Sequence, residues 1–406
     1  MYRRTLAEIN LDHVAHNFEV LKKAFSHAPF ICPMVKANAY GHGDVAVALC
    51  LEKVGAQHLG VCLIEEGLLL RRGGVKAEIL VFRGFDREGA KTMLQHKLTP
   101  VVATWDQLHA LQSVASQAKQ PVQIHLKFDT GMNRLGFPVA EAQRLFELCW
   151  QNSKVRVQGI LTHLCHGEDA QDPAGDSAAQ LSSLAQVMKI FKPLNPVVHS
   201  LNSAGILNSL IMARRQKDPH HPLSRVQWGL RPGLMIYGYS PLAQKDILPL
   251  KPVMTLKSVA STYRVLKAGE KVSYGGTWTA SKASVIAVVP IGYADGYHRI
   301  LSNKGQALFL GQRVPVVGRI CMDFLMVDVT EVVLHKDLKE LEEESIILFG
   351  QDRNGNCLSP EELALQAQTI TWEILTSVGE RVPRVYTGDM AKKLVKQLAK
   401  QRGDAD

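Results

Sequence analysis

Between residues 30 and 230 the chain repeats one pattern eight times: a short apolar, β-rich run, then a turn signal, then a helical stretch. The runs lie at 30–35 (Phe-Ile-Cys-Pro-Met-Val), 58–63, 78–82, 99–103, 122–128, 157–163, 197–201 and near 226–230. Amphipathic stretches such as 43–54 and 140–151 separate them. Eight strands alternating with helices are the signature of an α/β fold of the (β/α)8 TIM-barrel type. A doubly wound open sheet competes with it, but the count of eight and the lack of a Gly-x-Gly-x-x-Gly turn weigh against that sheet.

The rhythm changes after Gly238. Residues 239–252 hold three prolines and read as a linker. Beyond it come short strands at 253–265, 284–290, 307–310, 314–317, 324–329 and 345–349, split by turns, with helical patterns returning only at 360–378. The expected organisation is a barrel over 12–240, a mainly β domain over 241–386 and a basic tail over 387–406. A first strand at 5–11 precedes the barrel and could pair with either body.

At 406 residues with 46% hydrophobic content, the chain is long enough for two real cores. Its net charge of +9 is partly local, because Lys392, Lys393, Lys396, Lys400 and Arg402 face only Asp404 and Asp406 in the last sixteen positions. The tail reads as a solvated helix end or an appendage. The remaining charge suits an enzyme that binds a phosphate and a carboxylate better than it suits nucleic acid. The seven cysteines are scattered, without a Cys-x-x-Cys pair, as in a reduced cytoplasmic protein. No apolar segment follows Arg3-Arg4, so a signal peptide is not expected, and 193–213 is too polar to span a membrane.

Chemistry concentrates at strand ends. Lys36 closes the first run within Pro33-Met-Val-Lys-Ala-Asn-Ala-Tyr40-Gly-His-Gly43. In a barrel the C-terminal strand ends face the active site. Apolar walls there disfavour an ammonium, and a neutral amine is what Schiff-base chemistry requires. Alone, such a residue would read as an ordinary exposed lysine.

The segment closely resembles the cofactor-lysine motif of the alanine racemases, a family of barrel-type, fold-type III pyridoxal-phosphate enzymes. Further matches follow in register. They are Lys127-Phe-Asp-Thr-Gly-Met-Asn-Arg134-Leu-Gly, Thr162-His163, His199-Ser-Leu-Asn202-Ser203-Ala, and Arg231-Pro-Gly233-Leu234-Met-Ile-Tyr237. The second half adds Val272-Ser-Tyr274-Gly-Gly, Ile291-Gly-Tyr293-Ala-Asp, Gly318-Arg-Ile-Cys-Met322-Asp and Arg381-Val-Pro-Arg384.

The resemblance implies pyridoxal 5'-phosphate on Lys36, with L- and D-alanine as substrates. It implies that Tyr40, Asn202, Ser203, Gly233 and Leu234 hold the phosphate, as barrels place phosphate at their last two loops. Arg231 would face the pyridine nitrogen, held by His163. A guanidinium cannot accept a proton, so the ring would be a weak electron sink. Lys36 and Tyr274 would move protons on opposite faces of the substrate, since a single base returns the proton to the side it left. Arg134 and Met322 would meet the substrate carboxylate, and Tyr293 would narrow the entrance. Tyr274, Tyr293 and Met322 would come from the partner in a homodimer with shared sites. Lys127 matches a position that is often carbamylated.

The chain departs from the family in the run Thr162–His166. It departs also at Glu380, where some members carry a phosphate-binding tyrosine; Tyr386 stands nearby. Alternatives are a racemase of wider specificity, a related decarboxylase and a non-catalytic pyridoxal-phosphate carrier. Arg231 argues against the decarboxylase, and Tyr274 with Met322 against the carrier.

Overall fold

The computed structural model describes residues 3–116, 120–214, 228–243 and 247–402. Two compact units emerge: His13–Ala39 with Asp44–Lys251, and Met1–Asp12 with Tyr40–Gly43 and Pro252–Asp406. No helix among the described residues is long and apolar enough to cross a membrane.

The first unit is the barrel. Its parallel strands run in the order His58–Val61, Glu78–Val81, Leu98–Val102, Val122–Asp129, Val155–Leu161, Val197–Leu201 and Gly229–Leu230. The eighth position is filled by 31–34, which makes only single bridges, Ile31 to Leu230 on one side and Met34 to Gly60 on the other. The full strand expected at 30–35 is therefore a bridging segment. Pro33 lies between the two bridges and has no N–H for a ladder. Bonds from Cys32 N to Leu230 O and from Val35 N to Gly60 O, both 2.9 Å, still close the ring. The last strand begins at Gly229; positions 226 and 227 of the expected run lie outside the described residues.

The amphipathic stretches form helices as expected, for example Asp44–Lys53 and Ala142–Gln151. One buried cluster joins Phe30, Cys32, Leu80, Val101 and Leu161 from different strands. At about 25 cal/mol per Å2 of apolar surface removed from water, such side chains supply the main drive for closure.

The change of unit falls at Lys251/Pro252, beyond the boundary expected at 240/241. The reason is the buried Asn17 on the helix Leu11–Ala24. Its amide donates to Ile236 O (3.0 Å) and Lys251 O (2.9 Å), and its oxygen accepts from Lys251 N (2.7 Å). The proline-rich stretch is thus tied to the barrel at its far end.

The second unit is mainly β. The strand Leu6–Asn10 pairs antiparallel with Met254–Val259 and parallel with Arg384–Thr387, so the open choice for the N-terminal strand resolves toward this unit. The same sheet continues through Ser345–Gln351, Gln306–Phe309 and Gln312–Pro315. The single run expected at 253–265 breaks into two strands, Met254–Val259 and Thr262–Leu266. The latter joins a separate three-stranded sheet with Ser284–Val289 and Leu325–Asp328. The basic tail is helical over Asp389–Arg402.

Asp12 anchors that last helix. Its two carboxylate oxygens accept from Asp389 N and Met390 N, both at 2.8 Å. A carboxylate on orphan N–H groups at a helix N-terminus is favoured by both hydrogen bonding and the helix dipole. Asp12→Ala is expected to lower stability by about 1–2 kcal/mol, with amide exchange rising first at 389–391. Asp12→Asn should keep part of the effect, because its oxygen still accepts. Urea unfolding with hydrogen-exchange mass spectrometry checks both.

Candidate active site

Lys36 sits at the end of the bridging segment, half-buried. The backbone after it does something unusual: Ala37, Asn38, Ala39 and Tyr40 all take left-handed angles, φ between +51° and +53°. A left-handed turn costs roughly 1–2 kcal/mol per non-glycine residue, and only asparagine of these types tolerates it readily. The turn is held by specific bonds. Glu66 Oε1 accepts from Ala37 N (2.6 Å), while Glu66 Oε2 accepts from Cys62 N and Leu63 N. Asn38 Oδ1 accepts from Asp44 N at 3.0 Å. Strain of this kind clusters at functional sites, and here it lies beside the candidate catalytic lysine. Nothing in the apolar periodicity announces Glu66; the Lys36 motif hides its partner 29 positions away.

In the second unit, Gly41 and Gly43 continue that excursion. A Cβ on Gly41 would stand 2.3 Å from Leu375 O, and the Tyr386 hydroxyl abuts Gly43. Tyr40 is 7% exposed, and burial pushes its phenol above the ordinary range. Tyr386 lies against this turn, whereas Glu380 is exposed.

Arg231 is buried in the barrel. One terminal nitrogen donates to His199 O (2.6 Å) and His199 Nδ1 (3.0 Å). The other donates to Thr162 O (2.7 Å), Ser200 O (3.3 Å) and His163 Nδ1 (3.3 Å). It has no carboxylate in ion-pair range among the described residues. Burial lowers its pKa to about 10, so it stays charged at neutral pH. The bond to His163 is the one the resemblance implied.

The histidines around it are neutral. Burial comes first in holding His163 well below its usual value, followed by the charges of Arg231, Lys127, Arg134 and Lys36. His199 is lowered by burial and then by Arg231, and His125 falls to about 3 through burial, then His58 and then Arg231.

His125 and His199 were not among the expected site residues. His125 Nδ1 lies 2.8 Å from His199 Nε2. Their strands are separated by Val155–Leu161, so side chains that touch must point into the barrel. A guanidinium only donates, so His199 accepts at Nδ1 and its Nε2–H donates to His125. Gly159 makes the room, because a Cβ there would be 2.2 Å from His125 Nδ1. The available signal was period two: His125 and Lys127 share a strand face.

Lys127 is 7% exposed, and its pKa falls to about 8, first through burial and then through Arg134 and Arg231. Arg134 is exposed on the following loop, with its N–H on Asp129 Oδ2.

The last two barrel turns meet at Ser203, whose buried hydroxyl accepts from Gly233 N at 3.0 Å. Gly233 N–H therefore ties the turns together, and Leu234 begins a short 3-10 turn directly after it. Asn202 caps the helix Ser203–Arg214 by accepting from Gly205 N (3.0 Å). First-turn amides at Ser203 and Ala204 have no intrahelical acceptor, which is a ready anion site.

The expected β-domain residues cluster separately. Ser273 Oγ donates to Arg319 O (2.6 Å), and Tyr293 N donates to Cys321 O (3.1 Å). The 318–323 segment thus joins Tyr274, Tyr293 and Met322, which are 71%, 43% and 53% exposed.

Residues 9–241 match the alanine racemase N-terminal domain family, and 253–386 match the alanine racemase C-terminal domain family. The chain belongs to the alanine racemase family. An alanine racemase of Sorangium cellulosum is 38% identical over 95% of this chain and 99% of its own. The alanine racemase of Clostridium difficile 630 superposes with a TM-score of 0.83 at 30% identity, covering 96% of this chain and 97% of that one. A Bartonella henselae alanine racemase structure with covalently bound pyridoxal phosphate superposes at 0.80 and 29% identity, covering 95% and 99%. The family depends on pyridoxal phosphate, and this chain fits that group: a strand-end lysine, a donor-only guanidinium and a buried helix N-terminus for phosphate.

Gly159→Ala is expected to push His125 off His199 and to destabilise the protein by about 1–3 kcal/mol through overpacking. In the unaltered protein, 15N spectra should show His125 gaining no proton between about pH 8 and 5, and His163 and His199 gaining theirs only below the ordinary histidine range.

Proposed function

We propose that this chain interconverts L- and D-alanine by a two-base mechanism, with Lys36 on one face of the substrate α-carbon and Tyr274 of the partner subunit on the other. The carrying observation is Arg231: a buried guanidinium without a carboxylate partner among the described residues. Pyridoxal phosphate, when bound, supplies the electron sink that acidifies the α-C–H. Arg231 offers that ring nitrogen donors only, so it delivers no proton there. A weak sink leaves the work to prompt proton transfer by Lys36 Nζ and the Tyr274 hydroxyl. The phenol is a poor base unless a cation lowers it, and Arg134 is assigned that task together with orienting the substrate carboxylate.

Ser203, Ala204 and the turn at Gly233 and Leu234 receive the phosphate, with Asn202 fixing the helix end. Tyr40 closes the phosphate side. Met322 meets the carboxylate through its backbone, and Tyr293 limits the side chain to methyl size. One extra methylene discriminates only modestly, so slow turnover of serine is compatible with this site.

Shared sites in a homodimer are supported by the exposure of Tyr274, Tyr293 and Met322 together on one patch. Large aromatic and thioether side chains clustered at a surface favour a covering partner. Lys127, with its lowered pKa of about 8, has the neutral amine fraction that carbamylation needs, and that fraction grows as pH rises through this value. The carbamate would be an anion beside Arg134. Seven cysteines, none of them in a disulfide, favour the reducing cytoplasm as the compartment, with D-alanine going to peptidoglycan.

Tyr274→Phe should impair α-proton abstraction from L-alanine far more than from D-alanine, by at least about a hundredfold; solvent deuterium incorporation into each enantiomer measures this. Equal losses would refute the two-face assignment. Mixing inactive Lys36→Ala with inactive Tyr274→Phe should regain activity, because some heterodimer sites receive both intact residues. Subunit exchange without recovered activity would place both groups on one chain.

A further inference from the structure

The structure assigns a second ligand site to this chain: we propose that Cys165, His166 and Asp176 bind a borderline-soft divalent transition ion of the Zn2+ class. One donor atom from each lies within 4.8 Å of the others. His166 Nδ1 is 3.5 Å from Cys165 Sγ and 2.9 Å from Asp176 Oδ2. A tetrahedral ion with bonds of about 2.0–2.3 Å holds neighbouring donors roughly 3.3–3.7 Å apart. The separation of His166 Nδ1 from the Asp176 carboxylate needs to open by only a few tenths of an ångström to match that spacing.

The convergence itself discriminates between chemistries. In a Cys-His-Asp nucleophile, thiol and carboxylate occupy opposite imidazole nitrogens, so that a proton can be relayed. Here both address Nδ1. That arrangement cannot relay a proton through the ring, but it points three donors at one place. Thiolate, imidazole and carboxylate are the donor types that zinc takes.

Buried side chains position the Cys165 thiol and the backbone that carries His166. Gln180 Oε1 accepts from Cys165 N (2.9 Å) and from the thiol (3.1 Å), and its amide donates to His163 O (3.0 Å). Ser177 Oγ donates to His166 O at 2.7 Å. Asn208 donates to the carbonyls of Gly167 and Glu168, both at 2.7 Å. Gln180, Ser177 and Asn208 are each no more than 2% exposed. Asp176 opens the helix Asp176–Phe191, which fixes its backbone. Such outer contacts hold donors ready and commonly change metal affinity ten- to a hundredfold. The side chains of His166 and Asp176 are 57% and 70% exposed, so an ion enters from solvent and keeps a fourth position for water.

No part of this cluster belongs to the racemisation machinery, yet it lies two positions from His163, which bonds Arg231. An ion here would stiffen the loop that carries that clamp.

The test uses tag-free holoenzyme, cleared of metal by a chelator and retaining its cofactor. Titration with Co2+ should saturate at one equivalent per chain. It should give a thiolate charge-transfer band with intense tetrahedral visible bands, and Zn2+ should displace it. Cys165→Ser should abolish the charge-transfer band, and Asp176→Asn or His166→Ala should weaken affinity at least about tenfold. Metal-free racemisation should stay at the unaltered level in all three variants, which reports that they fold. Absence of stoichiometric uptake overturns the proposal. So does uptake unchanged by Cys165→Ser, which would mean that other half-buried thiols such as Cys62, Cys321 or Cys357 hold the ion.

Discussion

Arg231 is the constraint around which the barrel unit is arranged. A buried guanidinium is costly unless every donor finds an acceptor, and the usual solution is a carboxylate. This chain uses carbonyls at the ends of two neighbouring strands and two imidazoles instead. Those imidazoles must then stay neutral, and burial together with the surrounding cations ensures it. The cation therefore remains uncompensated by formal charge. That keeps a positive, donor-only surface in the barrel, which suits a ring nitrogen that must not receive a proton.

The cost of this arrangement extends into the barrel interior. His199 satisfies Arg231 with one nitrogen and must place the other, which requires His125. His125 in turn requires Gly159 beneath it. One polar requirement thus dictates residue types on three strands. The strained turn after Lys36 obeys a similar logic: left-handed angles at two alanines persist because Glu66 and Asn38 bind the backbone that adopts them.

Much of the fold was legible because strand and helix periodicity survive in local sequence. Seven of the eight barrel strands appear at or within a few residues of the apolar runs. The differences have physical causes. Pro33 reduces the first run to bridges, and Asn17 draws the proline-rich stretch to the barrel as far as Lys251. Neither effect is periodic, so hydropathy does not reveal it. The N-terminal strand was ambiguous for the same reason: pairing with Met254–Val259 is a contact across some 250 positions.

The candidate site divides along the same line. Sequence by itself singled out the residues proposed to carry the chemistry, because Lys36, Arg231 and Tyr274 stand in ordered motifs that resemble those of the family. It also indicated that a barrel would present Lys36 and Arg231 at strand ends. Only the tertiary structure decided how Arg231 is satisfied, that His125 and His199 support it, and that Cys165, His166 and Asp176 converge on one point. Those relations depend on which side chains face each other across a closed sheet or a folded loop, and chain order carries no record of that distance.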